Sequence, residues 1–224
     1  MIGRRKWLWS SASLVLTPGL VRADEAEDKR LQNRLELWAN YAKRTRNLVV
    51  RTTTTRETSL LLEPMVVTGQ LIFRAPATLM LRDDGLSGST TVIDDGALAI
   101  VPNQARPGRH GPIVRDEAPA AVWLADRLLR SFAPGDGAEL VADCRTEVPK
   151  RGYKLDLLPP RASDIRALVR SYTLHLDAVA GAVTEILIAE AQGDRVRIQL
   201  ADHRQNVPDE DVRRVIDEVT RLRG

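Results

Sequence analysis

The stretch Val66 to Pro102, VVTGQLIFRAPATLMLRDDGLSGSTTVIDDGALAIVP, constrains the fold more than any other part of the chain. Val67, Gly69, Leu71 and Phe73 fall on one face of an extended segment, and Thr68, Gln70 and Arg74 on the other. Period-two alternation of this kind marks a strand with one apolar face. Pro76 interrupts the ladder, and Leu79 and Leu81 resume it. Asp83-Asp84-Gly85 and Asp94-Asp95-Gly96 are tight-turn signals, because glycine takes the positive φ that hairpin turns require. Thr90 to Ile93 and Ala97 to Val101 supply the next two strands. The reading is an antiparallel meander with one apolar face.

The flanking sequence extends this pattern. Asp24 to Ala42 reads as an amphipathic helix with Leu31, Leu35, Trp38, Ala39 and Ala42 in one stripe and acids in its first turns. Asn47 to Thr58 is a strand rich in β-branched residues, with Thr58 to Val67 as its hairpin partner, broken at Glu63-Pro64. Asn103 to Ile113 is a loop set by Pro107, Gly108, Gly111 and Pro112. Ala118 to Phe132 is a second amphipathic helix whose inward stripe is Val122, Ala125, Leu129 and Phe132, ended by Pro134-Gly135-Asp136-Gly137. Ala138 to Val148 and Gly152 to Leu158 read as a strand pair, and Ser163 to Val169 as a short helix or turn. Tyr172 to Leu176, Val183 to Glu190 and Val196 to Leu200 read as three further strands. Pro208 opens a last helix with Val212, Val215, Ile216, Val219 and Leu222 in register.

The first residues read as an export signal. Arg4-Arg5-Lys6 is a basic start, Trp7 to Leu20 a short apolar run, and Val21-Arg22-Ala23 a small-x-small cleavage site before Asp24. The run is too short to span a bilayer and is interrupted by Pro18-Gly19. The expected organisation is a signal peptide over 1–23 and one domain over 24–224. The whole chain has 33 basic and 30 acidic residues. Cleavage would remove four basic residues (Arg4, Arg5, Lys6, Arg22) and no acid, leaving 29 against 30. The basic excess thus belongs to the signal, and a nucleic-acid partner is not expected. Cys144 is the single cysteine, so no intramolecular disulfide forms. It lies far from the signal and makes no lipid-anchoring site.

Several of these segments together resemble the periplasmic lipoprotein carriers, LolA and its relatives. The resemblance rests on the glycine strand Gly69 to Phe73, on Pro76, and on Val92-Ile93-Asp94-Asp95-Gly96-Ala97-Leu98. It continues in Tyr153-Lys154-Leu155-Asp156-Leu157-Leu158-Pro159 and in the polar link Asp202 to Asn206. It covers roughly residues 25–207. Counted from Gly69, the family's Arg-Pro pair falls on Ala75-Pro76, so its arginine slot holds alanine and Arg74 stands one place early. In the family that arginine restrains a lid over the lipid cavity. A one-residue shift places a strand side chain on the opposite face, so Arg74 is expected on the outer side.

The fold expected is α+β: one large curved antiparallel sheet, an open half-closed barrel, with helices covering its concave apolar face. The resemblance implies a carrier of the periplasm. It would shield lipoprotein acyl chains between an inner-membrane ABC transporter that loads them and an outer-membrane receptor that takes them, acting as a monomer. A carrier for another lipid or glycolipid, and a lipid-sensing regulatory module, are the alternatives. The residues expected to line the lipid space are Leu35, Trp38, Val67, Leu71, Phe73, Leu79, Leu81, Leu98, Ile100, Val122 and Trp123; read from residues alone, the same set is equally an ordinary filled core. Arg74 and Arg82 are either solvated strand arginines or a rim or latch. With Arg74 outside, the lid is expected to be held by apolar contacts from Trp38 and Trp123.

Catalytic signals are sparse. His110, His175 and His203 have no metal-ligand spacing, and no Gly-x-Ser-x-Gly elbow or phosphate loop occurs. The sequence implies no cofactor, no metal and no enzyme.

Overall fold

The computed structural model describes residues 19–85, 88–103, 118–161, 163–210 and 212–213, with side chains from residue 25. The expected signal residues 1–18, most of the loop after Asn103, and Val215 to Leu222 of the last helix lie outside the described residues.

Among the described residues, ten strands form one sheet. They are β1 (Asn47–Glu57), β2 (Met65–Arg74), β3 (Thr78–Asp83), β4 (Ser89–Asp94), β5 (Ala97–Pro102), β6 (Arg145–Glu147), β7 (Lys154–Leu158), β8 (Val169–Leu176), β9 (Val183–Glu190) and β10 (Arg195–Gln205). Their order is β5-β4-β3-β2-β1-β10-β9-β8-β7-β6, every neighbouring pair antiparallel. The first and last strands of this order do not pair with each other, so the sheet stays open. Helices α1 (Gly19–Ala42) and α2 (Pro119–Arg130) and the single turn α3 (Ala138–Val141) accompany it. A 3-10 turn runs over Asp164–Ala167. This is the half-barrel layout that the LolA resemblance implies.

The alternation in sequence becomes two faces. Leu48, Val50, Leu71, Phe73, Leu79, Ile93 and Leu98 join Leu155, Leu157, Tyr172, Leu174, Ile186 and Ile198 on the inner face, packed against Trp38, Trp123, Leu128 and Phe132 of the helical layer. Apolar burial on this scale, at roughly 25 cal/mol per Å², is the main force closing the helices onto the sheet. The outer face has a smaller cluster of Val49, Ile72, Met80 and Val92, capped by Val212 and flanked by Val207. The segment from Pro208 therefore begins its helix against the back of β1–β4.

Several elements differ from the sequence reading. The hairpin partner expected over Thr58 to Val67 is a loop as far as Pro64, and β2 starts only at Met65. Leu60, Leu61 and Leu62 are exposed there, because Pro64 removes a ladder donor and nothing packs over the loop tip. The strand expected over Ala138 to Val148 is α3 followed by a strand of three residues. Gly137, at φ +94, starts that turn. α1 begins at Gly19, ahead of the acids expected to open it. It is pinned at its other side by Gly181 in the β8–β9 turn, where a Cβ would lie 2.2 Å from the carbonyl oxygen of Leu37.

Candidate functional site

The inner face of β1–β5 and the helices over it contain most of the expected lipid-contacting residues. Leu71, Phe73 and Leu79 have no exposed surface, and Leu98 and Trp38 almost none. Cross-strand register sets them in rows: Leu48–Phe73–Leu79–Ile93–Leu98, and beside it Val50–Leu71–Leu81–Thr91–Ile100. The first row lies under Phe132, whose ring is 6.5 Å from that of Phe73. The second row opens outward. Leu81 is half-buried and Ile100, on the edge strand, is exposed. Leu35 is buried on α1, and Val67 is half-buried near the start of β2.

α2 is turned from the expected stripe. Ala120, Trp123, Arg127 and Leu128 face inward with Ala125, while Val122 and Leu129 are half-buried. The sequence reading missed the rotation because Arg127 breaks the apolar pattern on the buried side. The terminal nitrogens of its guanidinium are held: Nη1 donates to the carbonyls of Leu140 at 2.6 Å and Ala142 at 2.9 Å, and Nη2 to Asp126 Oδ2 at 2.6 Å. It also lies 5.7 Å from the centre of the Trp123 ring.

The expected apolar lid is therefore partly polar. Trp38 Nε1 donates to the Ser131 carbonyl at 2.9 Å, tying α1 to the end of α2. Ser131 Oγ lies 3.0 Å from the hydroxyl of Tyr172 on β8 and donates to the Arg127 carbonyl. Burial pushes the Tyr172 phenol well above its ordinary range, against the opposing pull of the Ser131 hydrogen bond. Arg34 of α1 is buried and donates to the carbonyls of Lys154, Pro149 and Gly152 at 2.5, 2.6 and 2.7 Å. Arg34 and Arg127, not Arg74, are the arginines that fasten the helical layer. Arg74 is exposed on the outer side of β2, and Arg82 is exposed on the outer side of β3. Helical arginines carry no pattern in sequence that separates a carbonyl-binding role from a solvated one, so Arg34 and Arg127 were not legible.

A small polar group of Asp83, Thr52 and Thr54 interrupts the inner face. Asp83 reads in sequence as a turn residue, yet it is the last residue of β3, in line with Leu79 and Leu81, and is 5% exposed. Thr54 Oγ1 lies 3.3 Å from Asp83 Oδ1, Arg56 Nη2 lies 3.6 Å from Oδ2, and the buried Thr52 hydroxyl has no partner. Burial pushes the Asp83 carboxyl up, while Arg56 and Thr54 pull it down. The period-two pattern could have placed it, had the Asp-Asp-Gly turn signal not taken precedence.

Described residues line recesses at two places beside the helices. One, of about 340 Å³, lies between Trp38 and the segment Ala133 to Leu140. The other, of about 310 Å³, lies between α2 and the 3-10 turn, with Val122, Trp123, Arg127 and Ile165 in its wall. Among the described residues no cluster could hold a metal ion, and no helix is long and apolar enough to cross a membrane.

No family model matches the chain, and no characterised protein matches it by sequence. Among solved structures it is similar to a LolA superfamily protein from Nitrosomonas europaea (13% identity, TM-score 0.45, 80% of this chain and 95% of that one). It is also similar to a domain assigned to outer membrane lipoprotein sorting from Vibrio parahaemolyticus (8%, TM-score 0.47, 89% and 99%). A third is MucB (20%, TM-score 0.43), of which the chain spans 62% while 84% of its own length is covered.

Proposed function

We propose that the chain is a periplasmic carrier that shields the acyl chains of lipoproteins on their way from an inner-membrane transporter to an outer-membrane receptor. One observation supports this most: the inner-face residues Leu71, Phe73, Leu79 and Leu98 share one apolar cluster with Trp123, Leu128 and Phe132 of the helical layer. The side-chain donors Arg127, Arg130 and Ser131 of the helical layer reach no residue of β1–β5. The polar ties of α2 run instead to α1, to α3 and to Tyr172 on the opposite half of the sheet. A seam held only by apolar contact can exchange those contacts for acyl chains at little net cost, since hydrocarbon replaces hydrocarbon. A seam crossed by buried hydrogen bonds would lose them on opening. The walls, Leu71, Phe73, Leu79, Leu81 and Leu98, are aliphatic or aromatic and ask no polar group of a ligand. The sequence resemblance supplies the compartment and the cargo class.

The test is native mass spectrometry of the protein isolated from its own periplasm, with extraction of any bound lipid. A bound acylated species that is lost in Leu81→Asp supports the reading. A protein that carries no lipid, and takes up no fluorescent acyl probe in vitro, has an ordinary filled core.

A further inference from the structure

We propose that the loop between β1 and β2 is a membrane-contacting tip whose leucines enter the acyl region of a neutral bilayer. The inference goes beyond the carrier reading and stands without it. Leu60, Leu61 and Leu62 are 89%, 50% and 105% exposed, three consecutive large apolar side chains on one loop. Val66 at the start of β2 and Leu168 just before β8 are also more than half exposed. Hydrogen bonds hold these segments at one end of the sheet. The Ser59 amide donates to Asp194 Oδ1 at 3.1 Å, joining the loop to the β9–β10 turn. The Ala191 amide of that turn donates to the Leu168 carbonyl at 2.9 Å. Five of the eight large apolar side chains exposed among the described residues therefore gather at this end, opposite the Ala75–Pro76 turn. Apolar residues exposed singly are ordinary, whereas a gathered set marks a contact with another apolar surface.

Shape and charge decide the occupant. A stable protein partner covers about 20–30 residues on each side and seats its anchors in pockets. Leu60 and Leu62 stand clear of the surface around them, so a facing protein would have to supply the whole pocket. Hydrocarbon closes round a projecting side chain of any shape. The backbone is prepared for it. The amides of Ser59, Leu60 and Leu61 already have acceptors in Asp194 and Thr58, and Pro64 has no N–H, so insertion takes few unpaired donors out of water. The charges beside the tip come in both signs, Arg56 and Arg195 against Glu57, Glu63 and Asp194. Attachment to an anionic surface uses a cluster of Lys and Arg instead. Apolar insertion therefore carries the binding, and an uncharged bilayer suffices.

The experiment uses the full chain with Leu62→Trp, whose indole reports the surroundings of the tip itself; the signal of the native chain under the same conditions is subtracted. Vesicles of phosphatidylcholine and phosphatidylethanolamine are added at low and high salt, with and without bromine on the acyl chains. Thermal melting checks that each variant folds. The proposal expects the added emission to move to shorter wavelength, to be quenched by acyl-chain bromine and to ignore salt. Adding Leu60→Ser should weaken the affinity read in this way about tenfold or more, the transfer of one leucine side chain. An emission that no vesicle moves overturns the proposal. So does one that only phosphatidylglycerol vesicles move and salt restores, or an affinity that Leu60→Ser leaves intact. A native chain that self-associates without lipid and is dispersed by Leu60→Ser has a second copy on the tip, which overturns it too. Acyl-probe uptake is read on the same samples. Insertion without uptake keeps this inference and fails the carrier; uptake without insertion does the reverse.

Discussion

The indole nitrogen of Trp38 donates to the carbonyl of Ser131, 2.9 Å away and buried, so the two long helices are joined to each other at the end of α2. Trp38→Phe keeps most of the packing and strands that carbonyl. Loss of one buried hydrogen bond, with a slightly smaller ring, should cost about 1–2 kcal/mol. Urea denaturation measures it. If the seam over β1–β5 opens for lipid, the same variant takes up an acyl probe faster than the native chain. An unchanged uptake rate would mean that α1 and α2 do not restrain the opening.

Arg34 and Arg74 should behave oppositely. Arg34→Met leaves three carbonyls without their donor at a buried position, for an expected loss of about 3 kcal/mol or more. Arg74→Leu changes an exposed outer-face side chain and should stay within about 0.5 kcal/mol. Urea midpoints of the two variants decide the matter; the reverse ranking would return the latch role to Arg74.

The two arginines also show what sequence can and cannot carry. Arg74 was placed on the outer side by alternation alone, because a strand fixes the side of every residue once one is known. The same rule located Leu71, Phe73, Leu79 and Leu98. Helical residues obey a looser rule: α2 is turned so that Arg127 is buried and Val122 is half-buried, since the carbonyls of Leu140 and Ala142 and the carboxylate of Asp126 take up the terminal nitrogens of its guanidinium. That arrangement depends on α3, which the sequence presented as a strand. Asp83 was misplaced for a different reason: the same tripeptide both ends a strand and makes a turn, and only the register with Gly69 shows which residue belongs to which.

Asp83 makes stability depend on pH. Its carboxyl is raised by burial, so the folded chain holds this proton more tightly than the unfolded chain does. The sign then follows: the contribution to stability is greatest at low pH and falls as pH rises from the unfolded carboxylate value of about 4 through the folded one. Asp83→Asn should raise the melting temperature near about pH 7 and give no gain at about pH 3. Melting curves across that range test it. A variant that is less stable near neutral pH would show that the Arg56 and Thr54 contacts outweigh the burial.

Gly69 is required by space. A Cβ there would stand 2.0 Å from the carbonyl oxygen of Arg82, inside the β2–β3 ladder. Backbone cannot yield as a flexible side chain does, so Gly69→Ala should part the two strands and cost about 2 kcal/mol or more. Hydrogen exchange of the β3 amides would report it as lost protection. Protection equal to that of the native chain would mean that the ladder shifts without opening.

The two faces of the sheet allow stability to be separated from lipid handling. Val212 is 1% exposed and packs on Val49, Ile72, Met80 and Val92, behind the sheet. Val212→Ala should lower stability by about 1–2 kcal/mol, as for other deletions of buried methyl groups, and leave uptake of an acyl probe unchanged. Leu81 lies on the inner face and is only half-buried, so truncating it leaves little new cavity. Leu81→Ala should cost less stability than Val212→Ala and weaken probe binding more, because the wall loses area just where the row from Leu71 to Ile100 opens outward. Paired measurement of urea midpoint and probe affinity settles the comparison. If both properties fall together in both variants, the inner face is an ordinary core and the carrier reading fails.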